Sequence, residues 1–407
     1  MKAERFICVR DETLRDGSQQ PGINLNSDQR RKLALISALL LKTPTDEFRN
    51  QIDLGMPETS NPMLETILQI SREILCISNV DIFVTGRSTR KAIDTMCESL
   101  REVPEEKRII APFIGISEEH RTKLGLSKVE ILEKIEREIS YAINCTCRVH
   151  FPLEGGYDAC LQDLPYFLEV IRSLQEIGVE AIVLCDTVGK ALPFGLKSKL
   201  SYGDVVSVIK QNFPSIKVSV HCHDDFGLAI ANTLEGVIKG ADIVDGTFFG
   251  IGERAGNASL QTLLTLLVTR KDLLDILIFA DLNNLYQISM QVQEILGIKV
   301  ADNIPVVGRN SFSHSSGIHQ DGILKDPKVY QPYEPRFVGR EGHNLVLGYL
   351  SGKRGIEFIL KNNYGLSLSE EQLEIVTSRF KESFNMPGTP EEKLLKIVHD
   401  VLVSEQK

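Results

Sequence analysis

The chain is predicted to be an α/β protein, a (β/α)8 TIM barrel followed by small helical C-terminal subdomains. Three observations predict it. Short β-branched runs alternate with longer helical patterns as far as about residue 270, the pattern of a parallel sheet. There are eight such strand–helix units, which suits a closed barrel better than an open sheet. Several of the strands end in polar clusters, as expected where strand ends converge on one mouth.

Taken in order, the first strand is expected at 6–9, followed by Arg10-Asp11-Glu12-Thr13-Leu14-Arg15-Asp16-Gly17 and a helix at 28–41. Strands at 51–54, 81–85 and 109–115 pair with helices at 61–75, 88–100 and 127–143. The fifth strand, 148–151, runs into Glu154-Gly155-Gly156 and a helix at 161–177. The sixth, 181–185, meets Asp186-Thr187-Val188-Gly189 and a helix at 202–212. The seventh, 217–221, ends in His221-Cys222-His223-Asp224-Asp225 before a helix at 227–239. The eighth, 243–248, leads through Gly250-Ile251-Gly252-Glu253-Arg254-Ala255-Gly256-Asn257 to a helix at 257–269. Beyond residue 275 helices dominate, at 281–296, 353–363, 369–384 and 391–403, around an irregular Gly/Pro/His-rich stretch at 302–343. The expected domains are therefore a barrel over 1–275, a linker and first subdomain over 276–345, and a helical subdomain over 346–407.

Composition narrows the function. With 407 residues, 42% hydrophobic and 25% charged, the chain has ordinary globular usage and is not disordered. Its net charge of −9 argues against nucleic acid as a partner. No apolar run is long enough for a membrane span, and the start lacks a signal-peptide core, so the expectation is a soluble, cytoplasmic protein. The eight cysteines form no paired CxxC framework and read as thiols in a reducing compartment.

The sharpest chemical signal is His221-x-His223. On a strand, residues i and i+2 face the same side, so both imidazoles can face one metal. Asp16, at the end of another strand of the same barrel, is the natural third ligand, and this set leaves open positions for water or substrate. The other reading is one capping and one packing histidine. Arg15 either stabilises an oxyanion or pairs structurally, for instance with Glu154. Arg87 either meets a substrate carboxylate or is a solvated loop cation. Thr187 either binds a carboxylate or caps a turn. The glycines of 250–257 are a weak phosphate or turn signal, and their position between strand and helix offers backbone N–H groups to an anion. Glu253 and Arg254 are as well explained by a buried pair as by catalysis. His319 and Tyr330 lie in the irregular stretch; the histidine suits acid/base work, against a surface-loop reading.

These residues carry a resemblance. Asp11-x-Thr13-Leu14-Arg15-Asp16-Gly17-x-Gln19, His221-Cys222-His223-Asp224-Asp225-Phe226-Gly227-Leu228-Ala229-x-Ala231-Asn232, the 250–257 run, and Ser316-Gly317-Ile318-His319-Gln320-Asp321-Gly322 with Tyr330 and Ser351-Gly352 resemble the family of 2-isopropylmalate, homocitrate and citramalate synthases. The resemblance spans about 6–360. It implies a metal-dependent Claisen condensation of acetyl-CoA with a 2-oxo acid, yielding a 2-alkylmalate and CoA, with 2-oxoisovalerate as the first-choice substrate and 2-oxoglutarate or pyruvate as alternatives. It implies Asp16, His221 and His223 as ligands of a divalent ion (Mg²⁺, Mn²⁺ or Zn²⁺), with Asn257 close by. Arg15 would polarise the keto oxygen, and Thr187 would bind the carboxylate. Glu154, Gln19 and Arg87 would line the site. His319 with Tyr330 would act on acetyl-CoA, reaching the partner's barrel in a homodimer. Departures surround the substrate pocket: Asp53 stands where the family usually has Glu, Glu154-Gly155-Gly156-Tyr157 replaces a Glu-Asp pair with a following Arg, and Cys185 stands where many members carry Pro. The chain also ends before a leucine-sensing domain would follow, so feedback through one is not expected. A lyase running the reverse cleavage and a non-catalytic paralogue are the readings from other classes. The lyases use a Cys in a Gly-rich loop, and 250–257 has none.

Overall fold

The computed structural model describes residues 5–145, 147–197, 199–342 and 344–404. They divide into two compact units, up to Val300 and from Ala301 onward.

The first unit is a closed barrel of eight parallel strands in sequential order. They are β1 (Cys8–Asp11), β2 (Gln51–Asp53), β3 (Asp81–Arg87), β4 (Arg108–Gly115), β5 (Arg148–Glu154), β6 (Ala181–Asp186), β7 (Lys217–Cys222) and β8 (Ile243–Gly246). Cys8 to Asp11 pair with Ile243 to Gly246 and close the ring. Strand β1 thus lies two residues later than expected. Arg5–Phe6 instead pairs with Ile276–Leu277, and Phe6 packs at a tilt against Phe48 and Phe279, ring centroids 5.0 and 6.0 Å away. The apolar run at the start is divided between that cluster and the barrel.

Arg10 is the largest fully buried side chain among the described residues. Its Nη2 donates to Asp245 Oδ2 at 2.7 Å and Ser219 Oγ at 2.9 Å, its Nε lies 2.8 Å from Glu12 Oε1, and the guanidinium rests 4.3 Å from the Phe83 ring centroid. A charge is tolerated at that depth because it is paired and hydrogen-bonded.

Local chemistry adjusts the expected helices. The stretch at 161–177 is two helices, Gly156–Gln162 and Leu164–Ile177. Asp163 breaks it by accepting from the Tyr166 N–H, with Pro165 in the first turn. The last barrel helix, Leu260–Thr269, starts later than expected because Ser259 caps it. A short helix, Glu118–Leu124, was not expected; it is capped by Ser117.

In the second unit, the stretch expected to be irregular contains a helix, Gly317–Lys325. Helices Lys353–Tyr364, Glu370–Glu382 and Pro390–Ser404 follow. Ile323, Leu345, Ile356, Leu373, Phe380 and Leu394 belong to one apolar core shared by these helices.

Candidate active site

A cavity of about 320 Å³ opens at the C-terminal ends of the strands, lined among others by Arg15, Asp16, Gln19, Glu154, Thr187, His221 and His223. Strand β7 ends at Cys222, so His221 lies on its last turn of pleat and His223 just beyond, bridged to Asn257 of the glycine loop. His221 Nε2 lies 3.4 Å and His223 Nε2 3.8 Å from Asp16 Oδ2. These three residues are buried, and their donor atoms lie within 4.8 Å of one another.

The outer ring nitrogens are engaged. His221 Nδ1 is 3.2 Å from Asp245 Oδ2, and His223 Nδ1 is 3.2 Å from the Gly256 carbonyl. Such contacts fix ring orientation and leave Nε2 facing Asp16, as in histidines that bind metal. Asn257 Nδ2 donates to Asp16 Oδ1 at 2.9 Å, while its Oδ1 is buried with no hydrogen-bond partner. Two imidazole nitrogens and a carboxylate oxygen converging in a buried pocket fit a divalent cation. Glu12, His221 and Asp245 form a second close set, but Arg10 already occupies both of its acids, so the set with Asp16 is the better cation site.

Electrostatics follow from burial and pairing. Burial pushes the Asp16 carboxyl up, but Arg15 and then His221 hold it well below the usual carboxylate range. Burial opposes the charged form of His221, yet its hydrogen bonds to Asp16 and Asp245 raise it to about 9. Burial and then the neighbouring His221 lower His223 to about 4. Arg15 pairs with Glu12 at 2.6 Å and Asp16 at 2.8 Å, and its Nε lies 3.5 Å from Asp53. Its structural partners are therefore these three acids, not Glu154.

Glu154, at the end of β5, lies 3.6 Å from His120 Nε2. Thr187 Oγ1 accepts from the Gly155 N–H at 2.8 Å, which ties the ends of β5 and β6 together. Arg87 does not line the cavity. Its side chain is 72% exposed and its Nε is 3.1 Å from Glu58, an arrangement of a solvated cation. Arg254 pairs with Asp225, at 2.8 Å, and not with Glu253. His319 and Tyr330 lie in the second unit, their rings stacked with centroids 4.0 Å apart. Gly322 makes that possible: a Cβ there would fall 2.3 Å from the Tyr330 ring.

The glycine loop meets an anion, but the anion is the protein's own. The Glu253 N–H points to Asp16 Oδ1 at 3.4 Å. Sequence reasoning missed Asp245 and His120. The signal for Asp245 was an acid inside an otherwise apolar strand, Ile243-Val244-Asp245-Gly246. That for His120 was a serine cap three residues earlier.

The HMGL-like family model matches residues 7–292, and the model described as homocitrate synthase post-HMGL domain-like matches 306–386. The 2-isopropylmalate synthase of Bacillus licheniformis is 36% identical over 93% of this chain and 70% of its own length. The 2-isopropylmalate synthase 1 of Caldanaerobacter subterraneus subsp. tengcongensis is 32% identical over 98% and 96%. The chain belongs to the family of 2-isopropylmalate and homocitrate synthases. This is a family of acyl-CoA-dependent condensing transferases. Among solved structures, the HMG-CoA lyase of Bacillus subtilis superposes with a TM-score of 0.59 at 16% identity, covering 74% of this chain and 98% of the lyase. Hydroxymethylglutaryl-CoA lyase from Pseudomonas aeruginosa gives 0.56 at 20%, covering 73% and 94%. At these identities the likeness is one of fold. No helix of the described residues is long and apolar enough to cross a membrane.

Proposed function

We propose that the chain condenses acetyl-CoA with a 2-oxo acid, forming a 2-alkylmalate and releasing CoA. The observation that carries this reading is the Asp16–His221–His223 set, with Arg15 bound to the same Asp16 at the cavity mouth, in a chain about one-third identical to 2-isopropylmalate synthases along most of its length.

Asp16, His221 and His223, with Asn257 beside them, would hold a divalent ion (Mg²⁺, Mn²⁺ or Zn²⁺), which supplies Lewis acidity toward a keto oxygen. Arg15 keeps a permanent positive charge next to that point and stabilises the alkoxide that develops. Thr187 and Gln19 orient the 2-oxo acid, and Glu154 borders it. The stacked His319 and Tyr330 serve acid/base chemistry on acetyl-CoA, contributed to the partner's barrel in a homodimer. One methyl proton passes from acetyl-CoA to the His319–Tyr330 pair, the methyl carbon bonds to the keto carbon as its oxygen takes up a proton, and water cleaves the C–S bond to free CoA thiol and the carboxylate.

The cavity also bears on the substrate side chain. Its wall includes Met56, Phe83, Phe113, Pro152, Val183 and Cys185. Beside Arg15, which serves the keto oxygen, its arginines Arg10 and Arg254 are each paired with acids of the protein. An apolar side chain is accommodated there, whereas a second carboxylate meets only neutralised cations. This favours 2-oxoisovalerate over 2-oxoglutarate.

The test is CoA thiol release from acetyl-CoA with a divalent cation and a panel of 2-oxoisovalerate, 2-oxoglutarate, pyruvate and oxaloacetate. Release is expected, fastest with 2-oxoisovalerate. Silence with every acid sinks the reading. In the same assay His319→Ala is expected to stop turnover while 2-oxo acid binding, followed by calorimetry, persists.

A further inference from the structure

We propose that His120 is a positioning residue for the Glu154 carboxylate, holding it at the cavity through an imidazole seated between two glycines and a serine. The proposal deepens the condensation reading and rests on it for the catalytic consequence.

Four observations converge on this imidazole. Its Nε2 lies 3.6 Å from Glu154 Oε1. Its Nδ1 is 2.7 Å from Ser117 Oγ, the same oxygen that accepts from the His120 backbone N–H at 3.3 Å. Ser117 therefore caps helix Glu118–Leu124 and fixes the ring on it. The ring also fills space that side chains at two strand ends would need. A Cβ on Gly115, the last residue of β4, would fall 2.5 Å from His120 Cβ. A Cβ on Gly155, directly after Glu154, would fall 2.7 Å from His120 Nδ1. Both distances are closer than carbon atoms sit.

The chemistry follows from these contacts. With Ser117 on Nδ1, Nε2 is the nitrogen turned to the carboxylate, 3.6 Å from its oxygen. Glu154 is half-exposed to the cavity, where an unrestrained glutamate samples several rotamers. An imidazole held on both sides restricts that freedom. The contact with His120 also keeps the Glu154 carboxyl below its ordinary value against the opposing effect of burial. The backbone continues the linkage, because the Gly155 N–H donates to Thr187 Oγ1. Glu154 and Thr187, which both line the cavity, are thus braced by one cluster.

Three variants test this. His120→Leu fills the cradle without a donor. His120→Gln restores a nitrogen donor near the place of Nε2. Glu154→Gln removes the charge that is positioned. In the CoA-release assay, His120→Leu is expected to lower kcat by about 10- to 100-fold, the effect of a misplaced active-site group, with KM for acetyl-CoA nearly unchanged. His120→Gln is expected to recover most of the loss. The double variant His120→Leu/Glu154→Gln is expected to be no slower than Glu154→Gln alone. A normal rate for His120→Leu, or a loss in the double variant that multiplies the two single losses, overturns the proposal. If the wild type releases no CoA with any 2-oxo acid, the condensation reading fails, and the imidazole ¹⁵N resonances of His120 then decide separately. They are expected to shift on Glu154→Gln; unmoved resonances overturn the pairing itself.

Discussion

His221 has a carboxylate on each side of its ring, Asp16 at 3.4 Å and Asp245 at 3.2 Å. Asp245 is in turn anchored by Arg10 at 2.7 Å, deep in the barrel. A chain of charged groups therefore runs from the lumen to the mouth, and each member orients the next. His221→Ala is expected to abolish binding of Mn²⁺ with the fold intact. Asp245→Asn leaves the ligands in place but frees the ring, and is expected to weaken Mn²⁺ by about 10- to 100-fold. Titration calorimetry reads both. Wild-type affinity in Asp245→Asn would show that the ring needs no such support.

At the level of elements, the loop 250–257 is shaped by what its glycines leave empty. A Cβ on Gly252 would fall 2.1 Å from Asn257 Nδ2 and 2.7 Å from Asp16 Oδ1. Gly252→Ala is therefore expected to part Asn257 from Asp16 and cost at least about 10-fold in Mn²⁺ affinity, the scale set for groups that support a ligand, with unchanged far-UV circular dichroism. Unaltered affinity would mean that the loop yields freely. The eight strands were legible because a buried parallel strand reads as a short β-branched run whatever its neighbours. The split at Asp163 and the helices at 118–124 and 317–325 were hidden because they are short, and caps decide them rather than apolar periodicity. For the site, His221, His223 and Asp16 were legible from strand-end position. The acid that restrains His221, Asp245, was not, because a single acid in a strand does not disclose which arginine it will meet across a barrel.

Over the whole molecule, stability is tied to pH through buried groups away from the mouth. His150 on β5 is fully buried, 3.9 Å from Glu180 and beyond hydrogen-bond reach. Burial lowers it from 6.5 to about 4. Between those values the unfolded chain binds a proton that the folded chain refuses, so stability falls as pH drops from 6.5 toward 4, by about 3 kcal/mol in all. Burial pushes Glu180 up, but Arg148 at 2.6 Å holds it below its ordinary value, which adds a loss of the same sign at lower pH. His150→Leu is expected to flatten the decline between pH 6.5 and 4 in urea melts. An equally steep decline would place its origin elsewhere.

Around the base of the mouth, Glu12, Asp16, Asp53 and Asp245 stand against the guanidiniums of Arg10 and Arg15. Hydrogen bonds to Asp16 and Asp245 keep the His221 ring protonated near neutrality against the opposing effect of burial. That proton does part of the neutralising that a dication at Asp16, His221 and His223 would do instead. The mouth is in this sense an ion exchanger: a divalent cation enters as hydrogen ions leave, and affinity for it climbs with pH. Binding heats measured in two buffers of different ionisation enthalpy should differ accordingly, and identical heats would contradict the exchange.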